Sequence, residues 1–369
     1  LFFDYARRDT LIGHAAVAAL IAGREGRFMR ALKSVLGTPI MHEPRQLLTE
    51  RLTLIDVVAR FLAQVKQRAE AHCGMTFDAA LSGRPVAFHS RDSDRDARAL
   101  ADLTACYRVA GFTDVAFIYE PEAAARASGA GAGLGLIVDI GGGTSDFTVF
   151  GGDHIRANNG VRIGGTDFDR ALNLAHVMPL LGLGTDLRDA IGPGTSTAPV
   201  AVFNDLATWE KIAFIYSPET RRLVSGMARV AVAQDRFARL ERVVADELGH
   251  DIAFAVERGK IAANDTGAGV IDLGLVDRGL RVGIDGADLD VVLGVYGDRI
   301  AATALETVRM AGVSPEDVER LVFVGGSSLL GVVDSRLRAA FPRARAQRAD
   351  AFTGVVDGLA LAAGEQGGF

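Results

Sequence analysis

The residues best suited to chemistry sit in one short stretch. Leu136, Ile137, Val138 and Ile140 form an apolar run, and Asp139 interrupts it just before Gly141, Gly142 and Gly143. Thr144, Ser145 and Asp146 follow, and Phe147 to Phe150 resume an apolar run. An ionised carboxylate near the end of a buried strand needs a partner. A hydrated Mg²⁺ is a suitable one, because it keeps most of its waters and takes few carboxylates. Three consecutive glycines let backbone N–H groups approach phosphate oxygens with no side chain between. Thr144 and Ser145 add hydroxyl donors. No GK[ST] opens a helix here, so this is not a P-loop. A plain hairpin needs only a two-residue turn, so three glycines between two aspartates point to a phosphate grip.

Three further groups could serve the same chemistry. Glu120 precedes Pro121 where a strand gives way to a helix, and a carboxylate there can face a metal-bound or attacking water. Gly325, Gly326 and Ser327 follow the apolar run Leu321–Val324, which lets the chain pass close to a flat ligand. Glu257, Lys260 and Asn264 fall near one helix face by i, i+3, i+7 spacing, and their plainest reading is an exposed ion pair.

The elements that must position these residues are legible from periodicity. Thr53 to Glu70 carries apolar residues at helical spacing, with Thr53 and Asp56 as a capping box. A strand over Pro85–His89, a helix over Asp94–Val109 stopped by Gly111, and a strand over Val115–Tyr119 form a parallel βαβ unit. Gly129 to Gly135 reads as a junction between two lobes. A strand rather than a helix follows it, so the dinucleotide fingerprint fails. Leu181 to Val202 reads as a surface loop, Phe203 to Asn264 as mostly helical, and Leu321–Val324 as a buried strand followed by a helix to about Ala340.

Composition narrows the function classes. The chain has 369 residues, 49% of them hydrophobic and 23% charged, so disorder is excluded and two or three compact units are expected. A net charge of −6 argues against a general nucleic-acid binder. The arginine-rich stretch Arg221–Arg242 reads as a solvated helix face. No apolar run is long enough for a membrane span. Cys73 and Cys106 lack metal-ligand spacing and read as reduced core thiols of a cytoplasmic protein.

Taken in order, EPEAAA, DIGGGTSD, RIGGTDFD, ERGKIAAN and VFVGGSS resemble the nucleotide-binding domain of the seventy-kilodalton heat-shock chaperones, the DnaK type. The region around Trp209 and residues 181–202 resembles the short YegD-type branch, which lacks a peptide-binding domain. The resemblance implies an α/β, two-lobed actin-like ATPase (ribonuclease H-like) fold with a nucleotide cleft between lobes. Lobe I would span residues 1–133, lobe II 134–349 with a mostly helical outer subdomain over 168–290, and 350–369 a helix returning to lobe I. It implies ATP or ADP with Mg²⁺ as cofactors, and protein clients or co-chaperones as partners.

Residue by residue, the resemblance gives Gly141, Gly142, Gly143 and Thr144 the phosphates, and Asp139 and Asp146 the metal through water. Glu120 falls near that water shell, and Lys33 in ALKSVLG matches the lysine beside the γ-phosphate. Gly165 of RIGGTDFD, with Glu257, Lys260, Asn264, Gly325, Gly326 and Ser327, falls to the nucleotide. Departures stand at Leu329 and Ile261, where the family carries arginines, and at Asn264, where it carries serine. The family's first phosphate loop, an Asp-Gly-Thr hairpin, has no counterpart here. The expectation is therefore an N-terminally truncated chain that binds nucleotide poorly and hydrolyses it little. A filament-forming actin-like protein, a nucleotide sensor without turnover and a sugar kinase of the same superfamily are the alternatives.

Overall fold

The computed structural model describes the chain except residues 30–31, 86–87, 89–91, 128–132, 152–153, 190, 349–352 and 367–369. It opens with β1 (Phe2–Asp4), paired antiparallel with β2 (Asp9–Leu11) and β3 (Gly26–Phe28), with α1 (His14–Ile21) in the crossover. The hairpin β4 (Arg45–Leu47) and β5 (Glu50–Leu52) leads into α2 (Leu54–Cys73). Both halves of the expected capping box are present there: the Asp56 N–H donates to Thr53 Oγ1, and the Thr53 N–H donates to Asp56 at 2.8 Å. Then come β6 (Ala79–Arg84), α3 (Ser93–Val109), β7 (Asp114–Tyr119) and α4 (Glu120–Ala127).

β6 and β7 are parallel, as the βαβ reading requires. The first strand lies earlier than expected, at Ala79–Arg84 rather than Pro85–His89. Pairing along all six residues of β7 fixes it there, although Ser82 and Gly83 are poor strand formers. Much of the expected Pro85–His89 stretch lies outside the described residues.

Next are β8 (Leu134–Ile140), β9 (Ser145–Gly151), β10 (His154–Val161) and α5 (Gly165–Leu172). The proposed junction before β8 lies mostly outside the described residues. β11 (Asp186–Arg188) and β12 (Thr195–Thr197) form a hairpin inside the stretch read as a loop. Their residues are mostly exposed, so no apolar alternation marks them. The helices α6 (Ala201–Ala207), α7 (Ile212–Ile215), α8 (Pro218–Val230), α9 (Gln234–Ala245) and α10 (Gly249–Thr266) follow, agreeing with the helical reading of this region. The chain ends with the hairpin β13 (Ala268–Asp272) and β14 (Arg281–Asp285), then α11 (Gly286–Met310), β15 (Arg320–Val324), α12 (Gly331–Ala340), β16 (Arg345–Arg348) and α13 (Gly354–Gln366).

A five-stranded sheet has the order β10-β9-β8-β15-β16. Two of its inner strands are near-continuous apolar runs: Leu136, Ile137, Val138 and Ile140 on β8, and Leu321 to Val324 on β15, are all buried. Two compact units emerge. One comprises residues 1–137, 148–159 and 347–369, and the other 138–147 and 160–346. In the first, Phe3, Leu36, Met41, Leu47, Leu54, Val57 and Cys106 share a core. In the same unit α13 lies against α4 so closely that a Cβ on Gly358 would fall 1.7 Å from the Ala123 carbonyl oxygen.

Two readings of surface and core need correction. Cys106 is buried, but Cys73 ends α2 and is exposed, so only one thiol is a core group. The arginines of α9 are not merely solvated. Arg242 Nη1 donates to the Val276 carbonyl at 2.9 Å, Arg236 Nη1 to that of Pro179 at 3.1 Å, and Arg239 Nε to Asp277 at 2.9 Å.

Candidate functional site

The glycine turn is held from behind. β8 ends at Ile140 and β9 begins at Ser145, and the Gly141 N–H donates to the Thr144 carbonyl at 2.9 Å. The first residues of α5 then bind the turn's carbonyls. Gly165 N–H donates to Gly141 O at 3.0 Å, and Thr166 N–H to Gly142 O at 2.8 Å. Thr166 Oγ1 donates to the same Gly142 oxygen at 2.8 Å. Ser145, buried, adds an Oγ bond to the Ile163 carbonyl at 2.8 Å. Gly164 lies flat on the turn: a Cβ there would come 2.5 Å from Gly143 N.

This strap orients the turn. In a trans peptide the carbonyl of one residue and the N–H of the next point in opposite directions, and there is no cis peptide among the described residues. Anchoring Gly141 O and Gly142 O on α5 therefore turns the Gly142 and Gly143 N–H groups away from it. Among the described residues neither N–H meets an acceptor. Residues 141–144 are exposed, and a Cβ on Gly143 would meet open space. Two outward N–H donors beside the Thr144 hydroxyl suit an anionic oxygen.

Carboxylates flank the turn on both strands. Asp139 is half-buried and Asp146 exposed. Thr144 Oγ1 lies 3.1 Å from Asp146 Oδ2. Gly325 admits Asp139: its φ is 81°, and a Cβ there would fall 2.5 Å from the Ile140 carbonyl oxygen and 3.1 Å from Asp139 Oδ1. The donor set of two carboxylates and a hydroxyl fits Mg²⁺, which fills its remaining positions with water. Among the described residues no three His, Cys, Asp or Glu side chains converge to hold a metal by themselves.

The loop after β15 closes on the same place. A Cβ on Gly165 would meet Ser327 Oγ at 2.6 Å, so α5 and the Gly325–Ser327 loop touch through glycine. Ser328, buried, donates its Oγ to the Gly325 carbonyl at 2.6 Å and fixes the loop. Asn264 on α10 spans its far end, donating from Nδ2 to the Leu329 carbonyl at 3.2 Å and accepting the Gly331 N–H at 2.8 Å. Leu329 is half-buried, and Ile261 is exposed on α10.

Lys260 corrects the sequence reading. Glu257 is exposed, but Lys260 is buried, with 8% of its side chain accessible, and its ammonium pairs with Asp169 of α5 at 2.6 Å. The one-face pattern therefore does not mark a surface ion pair with Glu257. Sequence reasoning missed Asp169 and Thr166. The only signal was their place in RIGGTDFD, two and five residues after Gly164.

Lys33 and Glu120 lie together in the first unit. Lys33 is in a short 3₁₀ turn (Leu32–Val35) and Glu120 starts α4 directly after β7. Lys33 Nζ lies 2.8 and 2.7 Å from the two carboxylate oxygens. Lys33 is 55% exposed, so the pair contributes little to stability. Both residues line a cavity of about 470 Å³ whose other walls include Leu1, Met29, Phe61 and Tyr107.

Comparison with known proteins finds partial similarity to the chaperones that the motifs resemble. No family model matches the chain. The chain is 36% identical over 124 residues to a mitochondrial heat shock 70 kDa protein of Pisum sativum, covering 32% of this chain and 17% of that protein. It is 31% identical over 171 residues to the chaperone protein DnaK of Thermoplasma acidophilum, and 29% over 174 residues to that of Endomicrobium trichonymphae. Each of these two matches covers 44% of this chain and 26% of the relative. The chain thus spans about a quarter or less of the curated relatives it matches. Its matched third to near-half is similar to heat shock 70 kDa and DnaK chaperones.

Proposed function

We propose that this chain is the nucleotide-binding part of a DnaK-type chaperone ATPase with an actin-like fold, taking ATP or ADP with Mg²⁺. In the intact protein it would hydrolyse Mg-ATP. The observation that carries the reading is the strapped turn, whose two N–H groups face outward between Asp139 and Asp146. The short YegD-type branch, a cytoplasmic setting, and client or co-chaperone partners belong to the same proposal; among the described residues no helix is long and apolar enough to cross a membrane.

The residues divide the work by chemistry. Gly142 and Gly143 N–H groups and the Thr144 hydroxyl donate to phosphate oxygens. Asp139 and Asp146 would hold a magnesium ion through its waters. A magnesium ion held there would supply charge neutralisation for the terminal phosphates. Gly325, Gly326 and Ser327 offer a close backbone approach to the nucleoside, and Glu257 a carboxylate for ribose hydroxyls. Lys33 contributes a cation for charge developing on the transferred phosphoryl group, and Glu120 a carboxylate for the attacking water.

A second reading is favoured by one observation: Lys33 and Glu120 neutralise each other in this state. That suits a sensor which binds nucleotide without turnover. Phosphate release from ATP, measured with Mg²⁺ and with chelator, separates the two. Mg²⁺-dependent release that Asp139→Asn abolishes supports the ATPase. Mg²⁺-dependent ADP binding without release supports the sensor, and neither binding nor release would overturn both.

A further inference from the structure

We propose that Asp169 is a positioning residue of the nucleotide site: through its ion pair with Lys260 it sets α5 against α10, and so holds the strap that aims the Gly142 and Gly143 N–H groups. The inference deepens the nucleotide reading above and rests on it for its functional meaning.

The chain of contacts is short. Asp169 lies on the first turns of α5, only three residues beyond Thr166, which anchors the Gly142 carbonyl twice. Asp169 pairs with Lys260 at 2.6 Å, and the Lys260 side chain is almost wholly shielded from water. α10, which carries Lys260, also carries Asn264, and Asn264 holds the Leu329–Gly331 end of the nucleoside loop. One partly buried pair therefore ties the phosphate strap to the helix that supports the nucleoside loop.

The pair is not what keeps α5 folded. Phe168 and Leu172 are buried on the same helix, and the Phe168 ring meets Tyr296 edge-on at 6.0 Å. Apolar contacts of that kind resist unfolding but tolerate small rotations of a helix about its axis. A short ion pair does not. A buried ion pair adds little net stability over an apolar pair, and its better-attested use is to fix one arrangement among several. Here the arrangement matters, because a rotation of α5 would release Gly141 O and Gly142 O and let the glycine turn swing.

The test needs no nucleotide. Amide hydrogen exchange of the peptide covering Gly165 and Thr166 is followed in the full chain, in Asp169→Asn, in Lys260→Met and in the double variant. Each single variant is expected to speed exchange at these two amides by about tenfold or more, with α8 and α9 unchanged and the double variant no worse than either single. Asp169→Glu is expected to restore most of the protection, because it keeps the charge pair; if Asp169→Asn fails to fold, this variant and Lys260→Gln carry the comparison. Unchanged exchange at Gly165 and Thr166, or additive effects in the double variant, would overturn the proposal. A parallel Mg-ADP titration of the unaltered chain isolates the other premise: no binding would remove the nucleotide reading while the exchange data still decide the role of Asp169.

Discussion

Gly143 and Gly164 touch across the turn, yet they tolerate a side chain very differently. A methyl group on Gly143 enters open space, whereas one on Gly164 would overlap the backbone of Gly142 and Gly143. Gly143→Ala is expected to leave the melting temperature nearly unchanged, while Gly164→Ala costs about 1–3 kcal/mol, the usual penalty of overpacking. Chemical denaturation of the two variants checks this. The thiols give a second residue-scale prediction. Burial, reinforced by the nearby Asp102 charge, pushes the Cys106 thiol up to about 12, so at pH 8 it carries almost no thiolate. A disulfide-exchange reagent at pH 8 is expected to titrate one thiol, Cys73, in the native chain and two after unfolding. Cys73 was misread as a core residue because cysteines are usually buried; its place in the last turn of an amphipathic helix decided otherwise. Asp139 and the glycines were legible because a carboxylate and three glycines contradict what an apolar strand and a short turn need. Asp169 and Thr166 were not, since each acts only through an element distant in sequence.

At the scale of elements, legibility followed the strength of the apolar pattern. α2 and α3 have clear periodicity and caps, and their ends were placed within a few residues. β6 was shifted because its sequence is a weak strand former held by its neighbour, and β11 and β12 were missed because three-residue exposed strands leave no pattern. The end of α10 shows how a single side chain joins two elements. Asn264 satisfies the Leu329 carbonyl and the first N–H of α12, groups with no helical partner of their own. Asn264→Ala is expected to destabilise the chain by about 1–2 kcal/mol, with Asn264→Ser falling between, because serine can satisfy only part of the same pair. Thermal unfolding of the two variants measures the order.

Across the whole molecule, the glycine turn and the start of α5 lie close in sequence and the loop after β15 far from both, yet all three pack through glycine at Gly164, Gly165 and Gly325. Each of those glycines leaves room for another segment's backbone or side chain, and the fold brings Gly325 to the adjacent pair Gly164 and Gly165 from far along the sequence. That convergence, together with partial similarity to heat shock 70 kDa and DnaK chaperones, supports a nucleotide site built on outward backbone donors. The most direct test follows the Gly142 and Gly143 amide resonances during titration with Mg-ADP, a method that registers weak binding as well as tight. Saturable shifts at these two amides, present with Mg²⁺ and weakened roughly tenfold or more in apparent affinity by Asp139→Asn, are the expected result. Amides that do not move at saturating Mg-ADP, or that move equally in Asp139→Asn, would contradict it.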